Sequence, residues 1–337
     1  MKRLLAVTLG ILTAIGGFVD IGDLVASSLV GARFGFSLVW VLLVGVVGIC
    51  VYAETAGRAA AVAGRPTFGL AGLALVVFVV AVFRLDPSWG SVLEQVTHPE
   101  VPGGEGLPTY FYYAIALFAS AMTPYEVFFF SSGGTEEKWK PKDLLTARIN
   151  VFLGFPLGGL LALSIMTAAA ALLLHPAGIA VDHMSQVVLP VGYALGELGL
   201  GLVLIGVFAA TFGAALETAL SSGCTVAQYF GWTWGKTAAP RKASRFHAVV
   251  IVALLAGTAL VLTGVDPVMV TEYSLVFAAV ALPLTYLPVL VVANDPEYMG
   301  EARNGGFANL MGGLYLVVVL VAAVAAIPLM IATKAGL

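Results

Sequence analysis

With 337 residues, 60% of them apolar and only 10% charged, and a mean hydropathy of +1.00, the chain is excluded from the soluble globular classes and reads as a polytopic helical membrane protein. Its formal net charge is −3, from 16 Lys and Arg against 19 Asp and Glu. The basic residues are spread thinly over short loops, which excludes the basic stripe of a nucleic-acid binder.

Nine apolar stretches approach the roughly 20 residues that cross a hydrocarbon core of about 30 Å. They run over 4–31, 36–57, 68–84, 109–132, 146–174, 195–230, 246–264, 271–293 and 309–333. The sixth is long enough to tilt or to extend past the bilayer. With the N terminus inside, 13 of the 16 Lys and Arg fall in cytoplasmic loops, leaving Arg33, Arg84 and Lys334 outside. That asymmetry follows the positive-inside rule and puts the C terminus outside. The first segment, opened by Lys2 and Arg3, reads as a span rather than a signal peptide, because it continues past Asp23 without a small-residue cleavage site.

The first span is interrupted by Asp20, Ile21, Gly22 and Asp23. A charge at the bilayer centre costs roughly 2.5 to 3.5 kcal/mol on insertion scales and by default marks an ion or substrate pathway. Asp20 and Asp23 would share one face if that turn were helical, and two bare carboxylates about 4 Å apart repel by about 4 kcal/mol at an effective dielectric near 20. A bound cation, a shared proton, or unwinding that admits water would relieve them. Gly16, Gly17 and Gly22 favour unwinding, which frees backbone carbonyls to face a cation.

The loop after the third span, Asp86 to Glu105, is acidic through Asp86, Glu94, Glu100 and Glu105. It reads either as a solvated loop or as one that concentrates cations at an entrance. The fourth span is interrupted by Thr123, Pro124, Tyr125 and Glu126. Pro124 has no N–H to give, so the backbone carbonyl of Ser120 loses its helical partner. Thr123 adds a hydroxyl, Tyr125 a phenol and Glu126 a third carboxylate. The plainer reading is a proline kink with Glu126 held by a hydroxyl or water. Taken together, Asp20, Asp23 and Glu126 favour a cation site. Glu217, deep in the sixth span near Thr211, Thr218 and Ser221, reads as a structural glutamate paired by hydroxyls or as a proton or supporting group for that site.

The remaining polar residues are plainer. Cys50 and Cys224 lie in apolar spans and read as small buried hydrophobes. His98, His175, His183 and His247 show no metal-binding spacing with one another. Gly154 and Gly158 are spaced for close helix packing. No nucleophile-and-base pair or phosphate loop appears, so the chain is not read as an enzyme.

Over most of its length the chain resembles the NRAMP divalent-metal transporters. That family's first-span Asp-Pro-Gly-Asn motif aligns with Asp20, Ile21, Gly22 and Asp23, followed by a run similar to Gly31, Ala32, Arg33, Phe34 and Gly35. Its sixth-span Met-Pro-His is replaced by Thr123, Pro124 and Tyr125, followed by Glu126 and by Ser131 and Ser132. Leu282, Pro283, Pro288 and the stretch Met299 to Gly313 resemble its last two spans. The resemblance implies an all-α inverted-repeat fold of the leucine-transporter type, with the helices at 4–31 and 109–132 broken mid-membrane.

Where the family's proline, asparagine and methionine stand, this chain has Ile21, Asp23 and Thr123. A thioether suits soft or borderline metals and oxygens suit hard ions. The oxygen set Asp20, Asp23, Thr123, Glu126 and the Ser120 carbonyl therefore suits Mg²⁺, as in the NRAMP-related magnesium transporters. Gly22, Pro124, Tyr125 and Glu217 are expected around it. Tyr125 replaces the motif histidine, and a phenol with a reference pKa near 10 is a poor proton carrier, so proton coupling is not expected. Two charges falling through 100 mV gain about 4.6 kcal/mol, enough to drive uptake uncoupled.

Two family spans between the second and fifth have no counterpart, because Arg65, Pro66, Thr67 and Phe68 run straight into a segment like the fifth. The division is then a three-helix remnant at 1–107, a second repeat at 108–294 and an extra helix at 309–333. This shortening reads as a natural relative, a truncated chain or a spliced record.

The expected function is divalent-cation transport by alternating access in a bacterial-type plasma membrane. Proton-coupled Mn²⁺ or Fe²⁺ import is the alternative, which Met122 would favour as a sulfur ligand. A non-transporting metal-binding protein is the third reading. No cofactor beyond the transported ion, no nucleic acid and no protein partner is expected.

Overall fold

The computed structural model describes residues 20–61, 72–85, 87–136, 138–170 and 175–336. Seven of its helical stretches are long and apolar enough to cross a membrane: Val39–Arg58, Leu107–Glu136, Pro141–Ala168, Leu189–Tyr229, Ser244–Leu262, Pro267–Asn294 and Gly306–Ala332. They coincide with seven of the nine expected spans. The other two are described in part, as the helices Ile21–Phe34 and Gly72–Leu85. Their N-terminal portions, with Gly16, Gly17 and Arg65, lie outside the described residues, as does Asp86.

In chain order the helices are α1 (Ile21–Phe34), α2 (Val39–Ala61), α3 (Gly72–Leu85), α4 (Trp89–Thr97), α5 (Leu107–Ala121), α6 (Pro124–Glu136), α7 (Leu144–Ile149), α8 (Phe155–Ala168), α9 (Met184–Val187), α10 (Leu189–Tyr229), α11 (Ser244–Leu262), α12 (Pro267–Asn294), α13 (Pro296–Met299) and α14 (Gly306–Ala332). A wider π-helical turn at Asn150–Gly154 joins α7 to α8. No strand occurs among the described residues.

Because lipid is as apolar as Leu, small residues that let backbones approach decide which helices pair. A Cβ on Gly31 of α1 would collide with the Met166 carbonyl of α8, and one on Gly159 of α8 with Val46 of α2. A Cβ on Gly45 of α2 would stand 2.5 Å from the Ala121 Cβ at the end of α5. These contacts draw α1, α2, α5 and α8 into one buried core. Close approach is thus seen at Gly31, Gly45 and Gly159; of the expected pair, Gly154 is buried in the π-helical turn and Gly158 is buried on α8. By contrast α11 and α14 are largely exposed, turning Ile251, Leu255, Leu314 and Val321 to the lipid.

Charged residues gather at the two ends of α2. At its C-terminal end the buried Arg58 pairs with Glu54 at 2.9 Å and Arg148 with Glu54 at 3.0 Å. Arg58 also donates to the Ala302 carbonyl at 2.9 Å and to Asn304 Oδ1 at 2.7 Å, tying α2 to the segment before α14. Beyond its N-terminal end, Arg33 donates to Glu105 Oε2 at 3.2 Å, to the Tyr113 hydroxyl at 3.1 Å and to the Gly336 carbonyl at 2.7 Å. Arg58 and Arg148 therefore meet at one end of α2, and Arg33 and Glu105 beyond the other.

The interruption expected in the fourth span is present and differs in detail; of the one expected in the first span, the described residues begin at Asp20. Asp20 is extended (φ −94°, ψ −174°) and caps α1, its carboxylate accepting the Asp23 N–H at 3.0 Å. Gly22, which was expected in an unwound turn, lies inside this helix. An N-cap carboxylate satisfies one of the helix's orphan N–H groups, so the helix begins directly after Asp20. In the fourth span Pro124 opens a new helix rather than kinking a continuous one. Met122 (φ −123°, ψ 39°) ends α5, its N–H donating to the Ala119 carbonyl at 3.3 Å. The long α10 contains a further interruption at Gly196, whose φ of +66° only glycine adopts freely.

Candidate functional site

Four helix ends and faces converge where the interruptions meet: the start of α1, the end of α5, the start of α6 and the middle of α12, with α10 behind α6. The end of α5 presents its last carbonyls, the negative pole of the helix dipole, to this region. Ser120 is buried there, and its carbonyl has lost its usual donor to Pro124.

Asp20 is 8% exposed and well partnered. Besides the Asp23 N–H it accepts the Tyr125 hydroxyl on Oδ2 at 3.0 Å. Expected only somewhere around the carboxylates, Tyr125 is in direct contact with one of them. Ser221 of α10 in turn donates to the Tyr125 carbonyl at 3.1 Å, so the first turn of α6 is held from behind.

Asp23 and Glu126 are different. They are 0% and 4% exposed, and none of their four carboxylate oxygens meets a hydrogen-bond donor among the described residues. Ser120 lies beside Asp23, but its hydroxyl donates to the Leu117 carbonyl at 2.9 Å. The buried Thr123 Oγ1 is likewise unpartnered. Asp20, Asp23 and Glu217 all lie within electrostatic reach of Glu126, with no Lys or Arg among the described residues paired to any of them. A buried, unpaired carboxylate is among the costliest groups a fold can hold, unless a cation or proton neutralises it. One turn along α1, Ser27 adds another buried hydroxyl without a partner. Oxygen-only groups of this kind fit a hard divalent cation.

Glu217 is half-buried on α10. Its expected hydroxyl partners are engaged elsewhere: Thr211 donates to the Val207 carbonyl and Thr218 to the Ala214 carbonyl, both at 2.8 Å, and Ser221 to that of Tyr125. The structural pairing read from the sequence is therefore not made. Glu217 instead joins the electrostatic neighbourhood of Asp20, Tyr125 and Glu126.

Met122 precedes Thr123, and its sulfur lies against α2. A Cβ on Gly48 of α2 would stand 2.5 Å from Met122 Sδ, so the thioether is packed between helices. Among the described residues, no three Asp, Glu, His or Cys side chains converge closely enough to enclose a metal ion. The four histidines stay apart: His175 Nδ1 is 2.9 Å from the Ala32 carbonyl and His247 Nδ1 2.9 Å from that of Ala243. Cys50 and Cys224 are buried and free.

Two cavities open between these helices. One of about 450 Å³ reaches Asp20 between Thr211, Ala215 and Thr218 of α10 and Ala253, Gly257 and Thr258 of α11. The other, about 560 Å³, opens at the Arg33 end and is lined by Asp182, Asp266 and Glu272 beside Arg33, Tyr113 and His175. Below it Leu275, one turn on from Glu272, presses on α1: a Cβ on Gly22 would stand 3.1 Å from Leu275 Cδ2 and 2.8 Å from Asp20 Oδ1. Gly22 is the residue that permits this contact. The sequence reading missed Glu272, Leu275 and the Glu54 pairs. Only the i,i+4 spacing of Glu54 and Arg58 signalled a pair in advance.

Comparison with known proteins accounts for this arrangement. The chain is similar to the divalent metal cation transporter MntH of Aeromonas hydrophila, with 23% identity over 260 residues that cover 73% of this chain and 59% of the relative. It therefore spans about three fifths of the length of that curated relative. Among solved structures it is similar to a mutant of the Eremococcus coleocola manganese transporter (TM-score 0.74, 13% identity, 99% of this chain and 88% of the other). A complex of that transporter with an aromatic bis-isothiourea substituted compound also matches (TM-score 0.66, 12% identity, 99% and 94%). The fold is thus the all-helical, leucine-transporter-like one. Residues 67–328 match the family described as Natural resistance-associated macrophage protein-like, and the chain belongs to that family, Nramp.

Proposed function

We propose that the chain carries a divalent cation across the membrane by alternating access, with Mg²⁺ the favoured substrate and without proton coupling. The observation that carries this reading is the pair of buried carboxylates, Asp23 and Glu126, near the starts of α1 and α6 and without hydrogen-bond partners among the described residues. Asp23, Glu126, the Thr123 hydroxyl and the Ser120 carbonyl would meet the ion, with Asp20 held by Tyr125 at its edge. An ion that keeps several waters needs only one or two carboxylates, which suits a centre where no three ionisable ligands converge.

The packed sulfur of Met122 favours magnesium over soft metals. Tyr125 donates to Asp20 where a histidine would offer a titrating group, which favours transport driven by potential alone. The 560 Å³ cavity would be the approach from the Arg33 end, closed by Leu275 on Gly22. The inner end would be the one at Arg58, with the N terminus cytoplasmic. The manganese named for the solved relatives supports the second reading, proton-linked Mn²⁺ import.

The test is flux into proteoliposomes at a clamped potential with a pH dye inside. Mg²⁺ entry without acidification, abolished in Asp20→Ala and Glu126→Ala, is the expected result. Mn²⁺ entry accompanied by acidification would replace this reading with the second. An absence of flux in folded protein would leave a metal-binding protein that does not transport.

A further inference from the structure

The turn that joins α10 to α11 combines exposed aromatic rings with exposed cations at the end of two lipid-facing helices. Tyr229, the last residue of α10, is 83% exposed and the next residue, Phe230, 59%. Their rings lie 5.0 Å apart, and Phe230 stacks on Trp232 at 5.0 Å. The Arg245 guanidinium sits 5.2 Å over the Trp232 ring. Arg241 and Lys242 are exposed alongside, in a turn closed by the Lys242 and Ala243 N–H groups on the Ala239 carbonyl at 2.8 and 3.1 Å.

This surface is built rather than loose. Ala243 and Phe246 are buried against Cys224 and Ala227, with Trp232 and Trp234 packed around them, so the cations project from a fixed base. From Thr218 to Val265 the sequence contains no Asp or Glu. The acid facing the turn from a neighbouring helix is Glu136 of α6, and its Oε1 accepts from the Thr237 N–H and hydroxyl at 3.0 and 2.9 Å.

We propose that this turn, around Arg241, Lys242 and Arg245, binds the phosphate headgroup of an anionic phospholipid. Guanidinium and ammonium groups match phosphate oxygens, and a few cations beside a membrane helix select anionic lipid. The choice of a lipid over a soluble phosphate rests on continuity. Tyr229 and Phe230 stand at the end of the span-length α10, where aromatic rings favour the membrane interface, and the patch runs directly into the exposed apolar face of α11 at Ile251, Val252 and Leu255. A ligand with a phosphate head and acyl tails covers both surfaces. The proposal is independent of which ion is transported.

The experiment places the purified chain in phosphatidylcholine bilayers and compares spin-labelled phosphatidylglycerol with spin-labelled phosphatidylcholine in the motionally restricted lipid shell. The wild-type chain should select phosphatidylglycerol several-fold. In R241Q/K242Q/R245Q the selectivity should fall to near unity with the thermal midpoint unchanged. The single variant Arg245→Gln, which should lose part of the selectivity, serves if the triple variant does not fold. Selectivity that survives in either variant, or its absence in the wild type, would overturn the proposal. Loss of wild-type selectivity on adding millimolar inorganic phosphate at constant ionic strength would overturn the lipid assignment in favour of a soluble anion.

Discussion

Glu54 and Glu126 are both glutamates drawn into the helical bundle, and they differ in what faces them. Glu54, its side chain 13% exposed, has Arg58 on one side and Arg148 on the other. Glu126 has Asp20, Asp23 and Glu217 in its electrostatic surroundings and, among the described residues, no hydrogen-bond donor on either oxygen. The first arrangement is complete without any ion, because every charge brought out of water has met its opposite. The second concentrates negative charge in the least polarisable part of the molecule, and in the function proposed above a bound cation supplies the compensating charge. One glutamate holds helices together, whereas the other is the proposed cation ligand.

Charge-removing substitutions should break that symmetry in opposite directions. Glu126→Gln and Asp23→Asn should lower Mg²⁺ flux by about 100-fold, equivalent to about 2.8 kcal/mol, while leaving the melting midpoint of the ion-free protein unchanged or higher. Glu54→Gln should do the reverse. It strips the carboxylate from a buried Arg58, a loss of about 3 kcal/mol, seen as a lower midpoint with flux per folded molecule retained. A Glu126→Gln variant that melted much earlier than the wild type would show that Glu126 has a structural partner.

The chemistry of the ligands sharpens the contrast further. Thr123→Met should bring a sulfur to the site that Met122 does not supply, raising Mn²⁺ or Cd²⁺ affinity by about tenfold, measured by calorimetry. Gly22→Ala should cut flux several-fold, since its Cβ would press on Asp20 Oδ1 and Leu275. Tyr125→Phe should have the smallest effect, about fivefold in KM, because it removes one hydrogen bond to Asp20 worth about 1 kcal/mol. An unchanged KM would remove Tyr125 from the site.

Much of this was legible in the residues. Long apolar runs mark spans because a bilayer demands them, and seven of the nine recur as helices long enough to cross. Acids inside such runs stand out for the same reason, so Asp20, Asp23 and Glu126 were visible without coordinates. Side-chain direction was not. Nothing in the spacing says that Met122 packs toward Gly48, or that the Tyr125 hydroxyl reaches across 105 positions to Asp20. The unwinding expected at Gly22 failed for a local reason: Asp20 accepts the Asp23 N–H and starts the helix one residue before the glycine. Hydroxyls near Glu217 in sequence donate to carbonyls instead, as Ser and Thr commonly do within helices. The partners of Arg58 and Arg33 lie 244 and 303 positions away, a distance no local pattern encodes.

The claim that Asp23 and Glu126 form the cation's seat is tested most directly by Mg²⁺-dependent thermal stability. Melting curves of the wild-type, Glu126→Gln and Glu54→Gln chains would be compared with and without Mg²⁺. An ion that binds only the folded state stabilises it by about 2.7 kcal/mol at 100 times its Kd. The account predicts an upward shift for the wild-type and Glu54→Gln chains and none for Glu126→Gln. An equal shift in all three would contradict it, because the ion would then be held elsewhere.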